Sequence, residues 1–174
     1  MNLECNLIDN VLECELKLGH EENPISFYYP VTSLTELLHC EETELASAIP
    51  EFLAEEQNRL GNVRIKELPK EKGRYEVTVP AAGVKWVHEN FQPSEFMCRF
   101  VTEIKRPENT LEDMVALFRL FSPDVEVEKV SEEEWAVSFK EGEIDPYVYH
   151  IEQNEFGLEY HRFTKEAYMR LMKE

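Results

Sequence analysis

Between residues 33 and 80 the spacing of apolar residues changes from a helical repeat to strict alternation, and this change most constrains the fold. Residues 34–38 and 45–53 carry apolar side chains at helical spacing, with a short polar turn between them. Residues 63–66 and 75–79 alternate apolar with charged or polar side chains, and the loop between them contains proline and glycine. The pattern therefore predicts two neighbouring helices followed by a β-hairpin.

Several residues mark where these elements should begin and end. Ser33 and Glu36 have the spacing of a capping box, which predicts that a helix begins at Ser33. Pro50 falls in the middle of the next helical pattern, where it removes one backbone hydrogen bond and should kink the helix. After the hairpin, the stretch from Pro80 to Gly83 predicts a hinge.

An earlier helical pattern over residues 3–16, which Gly19 should end, precedes a short apolar and aromatic stretch. The order of elements resembles the core of winged helix-turn-helix proteins over about residues 3–80. Three segments carry the likeness: Leu34-Thr35-Glu36-Leu37-Leu38, Glu44-Leu45-Ala46 and Phe52-Leu53. Many winged-helix domains bind DNA through the second of these helices, and others bind only proteins. The resemblance implies a winged-helix-like unit with a DNA or a protein partner.

The charge of the same region conflicts with DNA binding. Residues 1–60 hold 2 basic and 13 acidic side chains, and the whole chain has a net charge of −18. The helix that would enter the major groove carries Glu44, Glu51, Glu55 and Glu56 against Arg59 alone. Affinity for phosphate backbones rests on Lys and Arg, so these carboxylates argue against a nucleic-acid partner.

The hairpin is the one locally basic segment, with 6 basic and 4 acidic residues between positions 61 and 90. It has two interpretations. It can be a wing that contacts phosphate or an acidic partner, or an ordinary solvated hairpin whose edges are protected by lysine, which is the simpler view. The candidate contact residues are Arg64, Lys66, Lys70, Lys72 and Arg74.

The second half predicts two helices, four strands and a last helix. Residues 96–104 and 110–121 have helical apolar spacing, and Thr110 and Thr164 are good helix N-caps. Between residues 125 and 161 the period is two, with short connectors that favour an antiparallel meander. We therefore predict an α+β fold with a winged-helix-like domain over 1–91 and an α+β domain with an antiparallel sheet over 92–174.

A second resemblance lies near the end of the chain. It rests on two segments, Tyr147-Val148-Tyr149-His150-Ile151 and Phe156-Gly157-Leu158-Glu159-Tyr160-His161-Arg162-Phe163-Thr164. They are similar to the end of an uncharacterised clostridial protein family of unknown function, and the length and order of elements agree with that family over most of the chain. The resemblance implies no catalytic residues.

Motifs for chemistry are sparse, so the sequence predicts no catalytic residues, no metal site and no cofactor. Aromatic side chains of the predicted sheet can line a ligand groove, although helix packing on that face is simpler. Two histidines can approach each other across neighbouring strands beside Glu152 or Glu159, which would allow a metal or acid–base site. The candidate residues of the sheet are Trp135, Tyr147, Tyr149, His150, Tyr160 and His161.

Three functions remain open at this point. The first is a non-enzymatic protein–protein interaction module that binds itself or another protein. The second is a transcriptional regulator that uses the basic wing and gains positive surface by dimerisation, and the third is a small-ligand-binding or enzymatic α+β domain. The acidic N-terminus, the lack of a long apolar run and four cysteines without a C-x-x-C pair predict a cytoplasmic protein without a membrane partner.

Overall fold

The computed structural model describes residues 1–57, 59–142 and 144–173. Within them the chain forms seven α-helices and two antiparallel sheets of three and four strands, so the predicted α+β class is confirmed. The chain divides into two compact units, Met1–Pro93 and Ser94–Glu174. The predicted boundary between residues 91 and 92 lies two residues before this division.

In the first unit, three helices and the three strands of one sheet are interleaved along the chain before a last helix. The strands are antiparallel, and β3 lies between β1 and β2. A 3₁₀ turn, Glu42–Glu44, leads directly into α3. The elements are α1 (Leu3–Leu18), β1 (Ile25–Pro30), α2 (Val31–Leu38), α3 (Leu45–Glu56), β2 (Arg64–Glu67), β3 (Arg74–Val79) and α4 (Ala81–Asn90).

The first helix begins and ends at residues whose chemistry explains its limits. The Asn2 side chain accepts a hydrogen bond from the Cys5 backbone N–H at 2.9 Å, which satisfies a donor that the first turn leaves unpaired. At the other end Gly19 has a φ of +87°, a backbone conformation that favours glycine. The predicted end of this helix is confirmed.

The predicted capping box at Ser33 is wrong, because α2 begins two residues earlier, at Val31. The Val31 backbone N–H donates to the Gly73 carbonyl oxygen at 2.7 Å, so the hairpin loop fixes the chain where the helix starts. The capping box of this region forms instead at the 3₁₀ turn, where the Glu41 backbone N–H donates to Glu44 Oε2 at 3.0 Å. Pro50 lies inside α3, as predicted.

The predicted hinge from Pro80 to Gly83 is also wrong, because these residues form the first turn of α4. Pro80 is the N-cap, and its carbonyl oxygen accepts from the Val84 N–H at 3.0 Å. A Cβ at Gly83 would lie 2.2 Å from the Leu60 carbonyl oxygen. The glycine is therefore needed for the close approach of α4 to the chain at Leu60.

The core of the first unit is formed by apolar side chains from all of its helices. The strand β2 contributes few of them. The hairpin of β2 and β3 is confirmed, and its inner face contributes buried valines. Fully buried side chains include Leu7, Val11, Leu34, Leu60, Val77, Val79, Val84 and Val87.

The second unit packs two helices on one face of a meander and a short helix on the other. Its four strands pair in chain order, as predicted. Ser94, Thr110 and Thr164 each accept a backbone hydrogen bond as N-caps, and the last two were predicted. The elements are α5 (Glu95–Ile104), α6 (Leu111–Phe121), β4 (Val125–Lys129), β5 (Glu134–Phe139), β6 (Tyr147–Asn154), β7 (Gly157–Thr164) and α7 (Lys165–Leu171).

An aromatic cluster forms the core of the second unit. Phe96 and Phe100 on α5 and Phe118 on α6 meet Phe139 and Tyr149 of the sheet, with ring centroids 4.5–6.0 Å apart. Most of these pairs are edge-to-face or tilted, the arrangements that the charge distribution of aromatic rings favours. The core face of the sheet is thus covered by helices.

Candidate functional site

The exposed side of α3 carries a line of carboxylates. Glu44, at the N-cap, and Glu51 and Glu55 are all exposed, and their spacing of seven and four residues places them on one stripe of a helix. We call these three residues the acidic stripe. Two further exposed carboxylates, Glu41 and Glu42, precede it. The exposed side of α3 is therefore negative.

The basic residue nearest to the acidic stripe is engaged elsewhere. Arg59 pairs with Glu4 of α1 at 2.9 Å and with Glu56 at 3.3 Å. Glu56 is only 1% exposed. Its burial and the nearby Glu4 carboxylate raise the pKa of Glu56 to about 7. This group ties the end of α3 to α1.

The hairpin presents all five predicted basic side chains to solvent, but two of them are neutralised locally. Lys66 pairs with Glu76 at 3.1 Å across the strands, and Arg74 pairs with Glu71 at 3.0 Å. In the part of the chain that the structure describes, Arg64, Lys70 and Lys72 form no ion pair within 4.0 Å. Three cations are thus available to a partner, and whether they contact one stays a prediction.

Arg64 also borders an open cavity of about 390 Å³ beside the three-stranded sheet. Its walls are mainly apolar, and the polar Thr78 side chain on the same side is already hydrogen-bonded to Ser26 at 2.8 Å. The remaining lining residues are Pro24, Leu53, Gln57, Asn62, Val63 and Pro80. Among the described residues that line it, Arg64 is not accompanied by an acid or a histidine.

The candidate residues of the meander lie on two faces of the sheet, and whether they bind a ligand stays a prediction. Trp135, Tyr147 and Tyr149 are buried on the core face, and Tyr160 lies 4.9 Å from the Phe100 ring. Helix packing on the aromatic face, the simpler interpretation, is confirmed. His150 lies on the opposite face, because side chains alternate along a strand and its position is one residue from Tyr149.

His150 and His161 face each other as register partners on β6 and β7, so their predicted approach is confirmed. The nearest acidic partner is Glu134, whose Oε2 lies 4.0 Å from His150 Nε2. Among the described residues, no third ligand joins the two histidines in a group that could hold a metal ion. Their geometry does not favour the metal or acid–base alternative.

A buried polar network on the core face fixes the turn before β6. Tyr149 donates its hydroxyl to Asp145 Oδ2 at 2.9 Å, and the Tyr147 backbone N–H donates to Asp145 Oδ1 at 3.0 Å. Burial and the Asp145 carboxylate raise the pKa of Tyr149 well above its ordinary value. The phenol therefore stays protonated at neutral pH, which suits a structural hydrogen bond.

A second open cavity, of about 350 Å³, lies on the outer face of the meander beside α7. Three of its polar side chains are used internally: Tyr168 donates to Glu128 Oε2 at 3.1 Å, and Lys165 Nζ donates to two backbone carbonyls. Burial and the bond to Glu128 raise the pKa of Tyr168 to about 12.

The structure brings together a cluster that the sequence did not reveal. Glu15 and His20, near the end of α1, meet His88 of α4, and both histidine Nδ1 atoms lie within 3.2 Å of the Glu15 carboxylate oxygens. In the sequence His20 and His88 are separated by most of the first unit, so their spacing gives no sign of a cluster. Only the packing of α1 against α4 juxtaposes them.

Comparison with protein families matches residues 1–172 to a model described as "Domain of unknown function, E. rectale Gene description (DUF3877)". The chain belongs to this family. No curated protein and no solved structure matches it. Family membership agrees with the expectation of an uncharacterised family and supplies no catalytic residues. Among the described residues of this family member, helices long and apolar enough to traverse a lipid bilayer are absent.

Proposed function

We propose that this member of the family is a non-enzymatic protein–protein interaction module whose first unit is winged-helix-like and binds through the acidic stripe. The order α1, β1, α2, α3, β2, β3, with β3 between its two partners, supports the winged-helix comparison. In that comparison α3 takes the position of the recognition helix. The stripe then lies where such domains contact their partners.

The charge of the stripe carries the proposal. Glu44, Glu51 and Glu55 are exposed without a neighbouring cation on the helix, and Arg59 is held by Glu4 and Glu56. Carboxylates in a DNA groove would face phosphates without releasing counterions. A protein surface rich in Lys and Arg is the complementary partner, because opposite potentials steer encounter and fix register.

The hydrogen bonds of several polar side chains in the second unit support a role without catalysis. Asp145, Tyr149, Lys165, Tyr168 and Glu128 form hydrogen bonds with one another or with backbone groups. A catalytic acid or base needs a proton-transfer partner in reach and a pKa near the working pH. The raised tyrosine pKa values point to structural roles instead.

A capture experiment with charge reversal tests the proposal. The full chain is immobilised and incubated with lysate of its source cells, beside a Glu51→Lys/Glu55→Lys variant. The control reverses two exposed turn carboxylates of the second unit, in Glu132→Lys/Glu133→Lys, for the same change in net charge. We expect the stripe variant to lose at least about tenfold of a captured protein that the control retains.

Equal capture by the wild type and both variants would contradict a stripe interface. Sizing chromatography at several concentrations covers self-association, where the stripe variant should shift the equilibrium and the control should not. A chain that stays monomeric and captures no protein would overturn the proposal altogether.

DNA binding through the hairpin is the second candidate. It is favoured by Arg64, Lys70 and Lys72, which form no ion pair with another described residue. Fluorescence anisotropy on random duplex DNA near ~50 mM salt discriminates the two, because phosphate contacts are strongest at low salt. Binding that is lost in Lys70→Glu/Lys72→Glu would favour the regulator. No binding under these conditions would remove this candidate.

A further inference from the structure

Two imidazoles converge on one carboxylate where α1 and α4 pack together. His20 Nδ1 lies 2.8 Å from Glu15 Oε1, and His88 Nδ1 lies 3.2 Å from Glu15 Oε2. The two rings stack with centroids 3.6 Å apart and planes 11° from parallel. One potential ligand atom from each residue lies within 4.8 Å of the other two.

We propose that Glu15, His20 and His88 bind a divalent transition-metal ion, with Zn²⁺ as the reference ion. This inference is independent of the proposed interaction through α3. Two imidazole nitrogens and one carboxylate oxygen form a donor set that suits zinc and its first-row neighbours. Water would complete the coordination, because three protein ligands leave a position open.

Two of the three donor spacings are close to those that this ion needs. Ligands at zinc's usual bond lengths of roughly 2.0–2.2 Å stand about 3.4 Å apart in a tetrahedron. The two observed nitrogen–oxygen distances, 2.8 and 3.2 Å, are slightly shorter than that edge. The donors therefore need to separate by only a few tenths of an ångström along these two edges.

The ring stack must open when the ion binds. A metal lies near the plane of each imidazole that ligates it, and two nearly parallel, stacked planes cannot both contain one ion. The rings therefore have to rotate about their side-chain bonds until their planes meet at the metal. Solvent exposure of 25% for the His20 side chain and 49% for that of His88 leaves room for this rotation.

The carboxylate provides a fixed anchor and the surroundings favour a cation. The Glu15 side chain is only 12% exposed, so it is held more firmly than the two rings. Glu21 and Glu22 follow His20 in the chain, and Glu89 follows His88. Lys85, on α4, is paired with Glu22 at 3.3 Å. A net charge of −18 raises the local concentration of cations at such a site.

Isothermal titration of the full chain with ZnCl₂, in a buffer with a non-thiol reductant, tests the site. We expect one tight site in the wild type, weakened at least about tenfold in His20→Gln, in His88→Gln and in Glu15→Gln. His39→Gln and Cys14→Ser are the matched controls and should keep the affinity. Wild-type binding no tighter than that of the three site variants, or an equal loss in a control, would overturn the proposal.

A measurement on the wild type decides the question even where a variant fails to fold. In NMR spectra of ¹⁵N-histidine-labelled protein, one equivalent of Zn²⁺ should move the ring signals of two of the five histidines and remove the mutual ring-current shift of their stack. Shifts at His39, His150 or His161 in place of these two would contradict the assignment, as would an unchanged spectrum.

Discussion

Glu56 shows how one buried side chain couples stability to pH. Its carboxyl is almost fully buried at the end of α3 and shares Arg59 with Glu4. Burial and the Glu4 carboxylate raise its pKa from the ordinary value of 4.5 to about 7. The folded state thus holds the proton more tightly than the unfolded state. The stabilisation from this proton is complete below about pH 4.5 and is lost as the pH rises through about 7.

We predict that Glu56→Gln gains stability relative to wild type as the pH rises. Glutamine is uncharged, so it carries no ionisation penalty at pH 8, where wild-type Glu56 is charged. The difference in free energy of unfolding, variant minus wild type, should increase by up to about 3 kcal/mol between pH 5 and pH 8. Urea denaturation at several pH values measures it.

The exposed neighbour provides the control for this prediction. Glu55→Gln removes a carboxylate from the same helix at a solvated position, and its difference from wild type should stay nearly flat over the same pH range. A flat difference for Glu56→Gln as well would show that Glu56 ionises normally in the folded protein.

At the scale of elements, α4 depends on a close approach to the backbone before β2. The Leu60 carbonyl oxygen lies 2.2 Å from the place where a side chain at Gly83 would begin, and Val79 lies 2.9 Å from it. Backbone atoms of a packed core cannot move aside as the end of a flexible side chain can. α4, and with it His88, can therefore take this position only because Gly83 has no side chain.

We predict that Gly83→Ala destabilises the protein by about 3 kcal/mol, because overpacking forces backbone shifts. Thermal unfolding followed by circular dichroism measures the loss. Gly142→Ala is the matched control, since its nearest contact would be an ordinary 3.5 Å to Pro146, and it should change stability by less than about 1 kcal/mol. Comparable stabilities of the two variants would contradict the close approach.

Local signals in the sequence predicted most elements and missed the ones that distant contacts decide. The alternation of apolar and polar residues predicted the hairpin and the meander. Thr110 and Gly19 marked helix ends, because capping depends on residues close to them in the sequence. The start of α2 depends on the hydrogen bond from Val31 to Gly73, far along the chain. Pro80 and Gly83 are residue types that often mark turns, which predicts a hinge. Pro80 instead stands at the N-cap of α4, where the helix needs no backbone N–H from it.

At the scale of the whole molecule, each unit has a core of its own. The first buries aliphatic side chains from its helices and β3, and the second buries an aromatic cluster between α5, α6 and the meander. Units of this length bury enough surface to fold alone. Sequence patterns predicted these cores, because burial repeats every two or 3.6 residues. They could not predict the Glu15, His20 and His88 cluster, since no periodicity relates residues of different helices.

We predict that chains of residues 1–93 and 94–174 each fold independently. Each should show its own cooperative thermal transition by circular dichroism and dispersed amide signals by NMR. The intact chain, measured under the same conditions, is the control. A piece that melts without cooperativity would show that its core is incomplete.

The hydrogen bond between Val31 and Gly73 has a consequence for recognition. It clamps the tip of the hairpin to the start of α2, and Glu67 holds the same glycine through its backbone N–H at 2.8 Å. A loop with two such anchors has little freedom left to lose when a ligand settles on it. The hairpin should therefore behave as a rigid arm, whose conformation is the same before and after a partner binds.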